Sequence, residues 1–408
     1  MSDTERGLIF QRVFWVITIG TLVLAFSIGI RLTFGLWLQP MSQAYGWGRE
    51  VFAFAIALQN LVWGASQPFA GALADRFGTN RVVALGGLGY ALGVYLMASS
   101  DNPLELSLTT GLIIGFSLSA TSFAVVLGGV GRAVSEKRRS LALGVASSGG
   151  SIGQFVMLPI ASQLISGMGW YAALGALSLF ALVMVPLAAG MGGKPAQQAN
   201  VQPQRLGEAL SIAIRHRGYL LLTGGFFVCG FHVTFIATHL PAYIVDQGLP
   251  LSLGATALGL VGFCNILGSY FWGYMGGVTS KKNSLSALYF VRAIVFSLFL
   301  FFPVTQTTVL LFAGAMGFLW LGTVPLTNGL VGQMFGTQHV GTLFGIVFFS
   351  HQVGAFLGVW LGGFFYDSTG SYDLIWYASI ALGLISALFH WPIDERPVNQ
   401  IPTPATQN

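Results

Sequence analysis

Five ionisable side chains lie within long apolar runs of this sequence, where a charge is costly. They are Arg31, His232, His239, Arg292 and His351. A charge at the centre of a membrane costs at least ~2.5–3.5 kcal/mol, so residues of this kind are expected to be functional. No Asp or Glu lies deep in any of these runs. Since a guanidinium group pairs bidentately with a carboxylate, the two arginines predict that a bound anion supplies the missing negative charge.

Each of the five residues also has a structural interpretation. Arg31 could cap helix carbonyls or extend toward the lipid headgroups, and Arg292 could brace its neighbours through their carbonyls. His232 and His351 could bind the anion or carry a coupled proton, because histidine titrates near neutrality. Either could instead be a neutral, hydrogen-bonded histidine. His239 lies nearer the end of its run and is the weaker candidate. Without an acid nearby, these histidines predict no metal site.

Uncharged side chains complete the expected substrate site. Amides in the same runs could bind the polar part of a substrate, and an aromatic ring could contact its carbon skeleton. The residues chosen on this basis are Phe34, Asn60, Gln154, Asn265 and Asn328. Each of them could instead serve ordinary helix packing through hydrogen bonds or apolar contact.

The composition excludes several classes of protein. Of 408 residues, 54% are hydrophobic and 8% are charged, whereas soluble proteins carry about 25% charged residues. A soluble enzyme, a disordered chain and a nucleic-acid binder are therefore excluded. The two cysteines, Cys229 and Cys264, lie in apolar runs and predict no disulfide framework. No nucleophile elbow, zinc-protease motif or phosphate-binding loop is present, so no enzyme, cofactor or ATP-driven pump is expected.

Twelve apolar runs are long enough to cross a membrane as helices, which takes about 20 residues. The predicted spans, numbered 1 to 12, cover residues 13–38, 51–74, 82–99, 105–130, 141–166, 170–190, 219–243, 255–277, 284–303, 307–331, 341–366 and 372–391. The predicted fold class is therefore an all-α membrane protein.

The basic residues orient these spans. Of the 18 Lys and Arg residues, Arg31 and Arg292 lie in spans and Arg49 lies alone in an outer link, which leaves 15 on one side. Because basic residues concentrate on the cytoplasmic side, both termini are predicted to be cytoplasmic, in a bacterial-type inner membrane.

A polar stretch and an internal repeat divide the chain into two halves. Residues 191–218 are predicted to be a cytoplasmic linker, with 205–217 as a possible basic amphipathic helix. Residues 1–190 and 219–408 then hold six spans each. At an offset of 201 (232 − 31), Arg31-Leu-Thr-Phe34 matches His232-Val-Thr-Phe235. The pairs Gly144 and Gly345, and Gly153 and Gly354, match at the same offset. Two parallel halves around a central path are typical of rocking transporters, although shared packing composition is the alternative explanation.

The loop between spans 2 and 3 carries a specific motif, GALADRFGTNR at residues 71–81. It resembles the signature loop of the major facilitator superfamily, and the resemblance covers all twelve spans. It implies two pseudo-symmetric six-helix bundles and a gating role for Gly71, Asp75, Arg76, Gly78 and Arg81. We expect Asp75 to pair with Arg132 or Arg139 as a latch on the inner surface.

Within that superfamily the chain is most similar to the monocarboxylate and oxalate–formate type. The supporting stretches are 31–47 and 147–159. Ser269 stands where that group often has an arginine, and His351 stands near the position of a lysine in the oxalate type.

The expected function is secondary transport of a small organic anion, with a monocarboxylate as the first choice. Alternating access by rocking of the two bundles would be coupled to proton symport or anion exchange. The alternative is an exporter of anionic or neutral drugs or metabolites, since cation exporters usually need an embedded acid. The expected partners are the anion, protons and the lipid bilayer, and the protein is expected to act as a monomer.

Overall fold

The structure is a computed structural model that describes residues 3–134, 136–192, 206–336 and 340–398. Within these ranges the chain is helical and contains no strand. The first half comprises the helices Asp3–Thr33 and Gly35–Tyr45 (span 1), Arg49–Phe77 (span 2), Thr79–Ser99 (span 3), Pro103–Leu106, the π-helix Ser107–Ile113, Ile114–Thr121 and Phe123–Ala133 (span 4), and Glu136–Leu182 and Met184–Ala188 (spans 5 and 6).

The second half repeats this organisation after a short linker helix, Leu206–Arg215. Its helices are Arg217–Asp246 (span 7), Leu251–Val278 (span 8), Lys281–Phe301 (span 9), Gln306–Leu319 and Thr323–Phe335 (span 10), Val340–Thr369 (span 11) and Asp373–His390 (span 12). Residues 193–205 of the predicted linker lie outside the described residues.

Ten helical segments in the described part of the chain are long and apolar enough to cross a membrane. One of them, Leu141–Ala188, is 48 residues long and contains two predicted spans. The two spans are separated at Gly169, whose φ of 79° and ψ of 160° are not helical. Glycine suits this position because an L side chain rarely adopts such a backbone conformation. The helix Arg49–Phe77, which carries charged residues at both ends, covers the predicted span 2. Every predicted span thus coincides with helical structure.

Spans 4 and 10 are interrupted at matching places. Span 4 breaks at Ser122, which is extended, and span 10 breaks between Leu319 and Thr323. A break frees backbone carbonyl and amide groups that must find other partners, because hydrocarbon offers none. In span 10 the side chains of Arg292 and Asn265 bind backbone groups of the break, whereas in span 4 Trp63 hydrogen-bonds the Ser122 hydroxyl.

The repeat is visible in the closest helix contacts. Gly153 of span 5 lies against the backbone of Ala25 in span 1, and an added Cβ would overlap the Ala25 carbonyl group. Gly354 of span 11 lies in the same way against Phe227 of span 7. Small residues allow membrane helices to approach this closely, so each half is held together by a backbone-to-backbone contact.

The two halves meet along three pairs of helices. Spans 2 and 11 pack together, spans 5 and 8 pack together, and the second helix of span 1 packs against span 7. Gly35 brings that helix against the backbone of Ala237 and Thr238. The interface between the halves is therefore the place where side chains from both can form one site.

We expect Gly153→Ala and Gly354→Ala each to lower the thermal unfolding midpoint of the purified protein. The added methyl group must displace a facing backbone, and overpacking of this kind costs roughly 1–3 kcal/mol. The controls are Gly144→Ala and Gly345→Ala, a second repeat pair with open space around the added Cβ. Equal midpoints for all four variants would contradict the assignment of close packing to Gly153 and Gly354.

Candidate functional site

Arg31 lies in the last turn of the first helix of span 1, just before the break at Phe34. Its Nη2 donates a hydrogen bond to Oδ1 of Asn60 in span 2. Its Cζ lies 5.0 Å from the ring centroid of Trp63, one turn further along that helix. Its Nε has no hydrogen-bond partner in the described part of the chain. The cation is thus held by a neutral amide and an aromatic face, and it keeps a donor free for an anion.

The two side chains that hold Arg31 are themselves fixed. Asn60 is fully buried and donates from Nδ2 to the carbonyl oxygen of Ile56 at 2.7 Å, which turns its Oδ1 toward Arg31. Trp63 donates from Nε1 to Oγ of Ser122 at 2.8 Å, at the break in span 4. A side chain locked by its own hydrogen bonds positions its neighbour with little loss of conformational entropy on binding.

A hydrogen-bonded chain leads from Asn60 into the second half of the molecule. Nε2 of Gln352 in span 11 donates to the main-chain oxygen of Asn60 at 3.2 Å. With its amide nitrogen so used, Oε1 of Gln352 accepts from Nδ1 of His351 at 3.0 Å. Arg31 and His351, both predicted from the sequence, are therefore connected through Asn60 and Gln352 across the interface.

Aromatic rings surround the histidine end of this chain. The His351 ring stacks on Phe348 with centroids 5.6 Å apart and lies 5.1 Å from Phe226. Phe348 also meets Trp63 edge-on at 5.8 Å. The centre of the interface thus combines one guanidinium group, one imidazole and a set of apolar rings, which suits an anion with an apolar body.

Two other predicted amides tie the halves together instead of contacting Arg31. Gln154 donates from Nε2 to the carbonyl oxygen of Leu258 at 2.9 Å. Asn265 donates from Nδ2 to Oγ of Ser151 at 2.8 Å, and its Oδ1 accepts from the Leu321 N–H in the break of span 10 at 3.0 Å. Both join span 5 to span 8.

Asn328 and Phe34 take different positions from these amides. Asn328 is exposed on the half of span 10 nearer Asp75. Phe34 is buried where span 1 breaks, and its N–H donates to the Arg31 carbonyl at 3.3 Å. Phe34 therefore contributes to the backbone geometry that places Arg31.

His232 and Arg292 make their contacts inside the second half. Nε2 of His232 hydrogen-bonds the carbonyl oxygen of Ser379 at 2.8 Å. Arg292 is fully buried and donates to the carbonyl oxygens of Leu319, at 2.6 Å, and Trp320. These carbonyls are freed by the break in span 10, so Arg292 makes the bracing contact that its structural interpretation predicts. The structure does not join either residue to Arg31.

A second cluster closes one end of the molecule, which we call the Arg49 end. The Arg49 cluster consists of Arg49 with Asp246, Tyr366, Asp367 and Tyr372. Arg49 donates to both oxygens of Asp246 at 2.6 Å and to the Tyr372 hydroxyl at 3.0 Å. Its Cζ lies 3.7 Å from the Tyr366 ring centroid. Arg49 belongs to the first half and its partners belong to the second, so the cluster joins the halves.

The start of span 2 adds to this closure. The Asp367 carboxylate accepts from the main-chain N–H groups of Arg49 and Glu50 at 2.9 and 2.8 Å. It thereby satisfies two free amides at the helix N-terminus, where an acidic group is favoured. Glu50 accepts from Nε1 of Trp360 at 2.9 Å. One half of the molecule thus caps a helix of the other.

The predicted gating motif lies at the opposite end, the Asp75 end. Asp75 pairs with Arg132 at 3.0 Å, as expected, and Arg132 also donates to Thr79 at 2.5 Å. All three residues belong to the first half, so in this conformation the pair does not latch the two halves together. Gly78, with φ 97°, ends span 2, and only glycine adopts that conformation without strain. Arg76 and Arg81 are exposed, and Arg139 donates to the Gly131 carbonyl instead.

Four glycines at the Asp75 end have open space beside them in the described part of the chain. Gly71 and Gly144 in the first half, and Gly273 and Gly345 in the second, have no neighbouring atoms within 4 Å of an added Cβ. Among the described residues, the hydrogen bonds between the halves run from mid-span to the Arg49 end. These contacts join the halves on the Arg49 side of the central site. The described residues contain no cluster of three or more metal-ligating side chains.

Sequence reasoning missed three contributors to these sites. Trp63 lies three residues after Asn60 and so shares its helix face, and Gln352 directly follows His351. The sequence analysis counted Arg49 only in the charge distribution that orients the spans. Its position as the lone basic residue of the outer links was a signal that it has a specific partner.

Comparisons with known proteins agree with this architecture. The model of the Major Facilitator Superfamily matches residues 17–350 and 263–408. An uncharacterized MFS-type transporter, YcxA of Bacillus subtilis, is 26% identical over 92% of this chain and 94% of its own length. Monocarboxylate transporter 13 of Rattus norvegicus is 26% identical over 85% of this chain and 81% of its own. Monocarboxylate transporter 11 of Homo sapiens is 27% identical over 92% of this chain and 82% of its own length.

A solved structure shares the fold. A bacterial homolog of the human lysosomal transporter Spinster, in an inward-facing and unoccupied conformation, superposes with a TM-score of 0.76. It covers 93% of this chain and 96% of its own, at 10% sequence identity.

We expect Asp246→Asn to favour opening of the Arg49 end. The side chains of Arg49 and Asp246 are only 10% and 21% exposed, and removal of one partner from a buried ion pair costs up to about 3–5 kcal/mol. A cysteine at position 238, buried where spans 1 and 7 meet, should then react faster with an impermeant maleimide, in a background with Cys229 and Cys264 replaced by alanine.

The control is Asp394→Asn at the other end. The Arg396 guanidinium hydrogen-bonds Asp394 and lowers its pKa to about 2, but both residues are exposed and belong to one half. Labelling in this variant should match the parent. If Asp246→Asn also matches the parent, the Arg49 cluster does not hold this end closed.

Proposed function

Because the chain belongs to the Major Facilitator Superfamily, we propose that it is a secondary transporter of small organic anions, with monocarboxylates as the substrate class. The observation that carries this proposal is Arg31. It is a guanidinium group within a membrane-spanning helix and has no carboxylate partner among the described residues. Its partners, Asn60 and Trp63, contact the second half at Gln352 and Phe348.

A single carboxylate fits this site. Arg31 can offer a bidentate fork to one carboxylate, while the rings of Trp63 and Phe348 contact an apolar remainder. The names of relatives over most of the chain, monocarboxylate transporters 11 and 13, support the same substrate class.

The route of transport follows from which end is closed. We propose that the substrate reaches Arg31 from the Asp75 end, and that rocking of the halves breaks the Arg49 cluster and closes the Asp75 end. The link from Asn60 to Gln352 crosses the moving interface, so an anion at Arg31 would compete directly with a contact that joins the halves. His351 at the end of this link is a candidate carrier of a coupled proton, with anion exchange as the alternative coupling.

The orientation rests on the charge distribution. With the 15 basic residues cytoplasmic, the Asp75 end faces the cytoplasm and the Arg49 end faces outward. We propose a bacterial-type inner membrane as the location, with both termini cytoplasmic and the monomer as the working unit.

We expect Arg31→Gln to abolish uptake of a monocarboxylate into proteoliposomes, because the amide offers no charge to compensate the buried anion. Loss of a hydrogen-bonded charge partner in a buried site costs about 2–5 kcal/mol, or at least roughly thirtyfold in affinity. Uptake of radiolabelled short-chain acids and their binding by calorimetry would measure this effect. Arg31→Gln uptake equal to the parent's would exclude Arg31 as the anion ligand.

A second variant tests the same role and leaves Arg31 in place. Asn60→Asp supplies an internal carboxylate to the guanidinium group, so the substrate should be displaced and uptake lost. Gln59→Glu is the matched control, since the adjacent Gln59 is equally buried but donates to the Thr110 carbonyl, away from Arg31. Thermal unfolding of each variant shows whether it folds. If Asn60→Asp folds and transports like the parent, the competition argument fails.

A further inference from the structure

His239 is a buried histidine of span 7 that the central site does not use. Its Nε2 lies 2.8 Å from the carbonyl oxygen of Val359, and its Nδ1 lies 3.0 Å from the Tyr372 hydroxyl. The same hydroxyl accepts from Nη1 of Arg49 at 3.0 Å. His239, Tyr372 and Arg49 therefore form a continuous chain from the interior of the second half to the Arg49 cluster.

The chemistry of these groups fixes each proton in the chain. A carbonyl oxygen can only accept, so Nε2 of His239 carries a hydrogen and donates to Val359. In the neutral ring Nδ1 then offers a lone pair, which accepts the hydrogen of Tyr372. The Tyr372 oxygen is left free to accept from Arg49, which is always a donor. The closed Arg49 end thus matches the neutral form of His239 in one tautomer.

A second proton on His239 is incompatible with this arrangement. Nδ1–H would point at the Tyr372 oxygen, whose own hydrogen would have to turn toward the donor of Arg49. The new positive charge would also lie close to Arg49 with only one hydroxyl group between them. Like charges in a buried setting repel strongly because little water screens them.

The charged and titratable groups around the chain come from four helices. They are Arg49 and Glu50 of span 2, Tyr243 and Asp246 of span 7, Tyr366 and Asp367 of span 11, and Tyr372 of span 12. The three carboxylates are already engaged by Arg49, by main-chain amides or by Trp360.

We propose that His239 is a positioning residue of the transport cycle: it holds Tyr372 against Arg49 while neutral, and its protonation stabilises the open form of the Arg49 end. When that end opens, the chain separates and His239 meets the solution on that side, where it can take up a proton. Acid on the Arg49 side then delays closure. The inference deepens the proposed function, but its test needs no substrate.

The same helix supplies a matched control. His232 is also fully buried in span 7 and also hydrogen-bonds a backbone carbonyl at 2.8 Å, that of Ser379. Its other ring nitrogen has no partner in the described part of the chain, and it does not touch the Arg49 cluster. His232→Gln therefore removes a comparable histidine without altering the chain to Arg49.

The experiment measures the width of the Arg49 end. Spin labels at positions 44 and 247, exposed residues of the first and second half at this end, report the distance between the halves by pulsed electron paramagnetic resonance. The full chain, with Cys229 and Cys264 replaced by alanine, is reconstituted in phosphatidylcholine–phosphatidylglycerol vesicles. Spectra are recorded between about pH 8 and pH 5, the range over which histidine changes charge.

We expect the long-distance population to rise several-fold on acidification in the parent and in His232→Gln, and to stay constant in His239→Gln. Tyr372→Phe, which keeps the ring and removes the hydroxyl, should also lose the pH response and serves if His239→Gln does not fold. A parent without a pH response, or a His239→Gln variant that retains it, overturns the inference. Arg31→Gln should keep the response, so failure of the proposed substrate role and failure of this inference are distinguishable.

Discussion

The interface between the halves depends on one charge that has no carboxylate partner in the described part of the chain, the Arg31 guanidinium group. Burial of a cation without a counter-ion is unfavourable, and the protein limits the cost with Asn60 and Trp63. Neither of these neutralises the charge. The neighbouring groups are therefore arranged around a charge that stays available, and the link from Asn60 through Gln352 to His351 extends its influence into the other half.

The two halves share a packing scheme and differ in chemistry. Gly153 and Gly354 make equivalent contacts, and spans 4 and 10 break at matching positions. Yet Arg31 and its repeat partner, His232, have opposite surroundings, since one faces the interface and the other is enclosed by spans 9 and 12. Packing constrains each half equally, whereas the surroundings of Arg31 and His232 do not follow from that packing. The halves therefore differ in the surroundings of these two repeat-related residues, although their packing is the same.

Much of the fold could be predicted from the sequence, because crossing a membrane imposes length and apolarity on every span. The offset of 201 located Gly153 and Gly354, and the motif at 71–81 located the pair of Asp75 and Arg132. The partners of each buried charge could not be predicted. Arg31 and Arg292 both lie in apolar runs of the sequence, and only the structure distinguishes them. Arg31 binds Asn60 beside the interface between the halves, whereas Arg292 binds the carbonyl oxygens of span 10. The same holds for Trp63 and Gln352, whose roles depend on which face of span 2 meets span 11.

The glycine contacts of Gly153 and Gly354 bear on how force passes through the molecule. Where backbone touches backbone there is no flexible side chain to deform, and packed protein interiors have low compressibility. Spans 1 and 5 are therefore expected to form one rigid pair of helices, and spans 7 and 11 another. We expect each pair to tilt as a unit, without a lengthening or unwinding of any single helix.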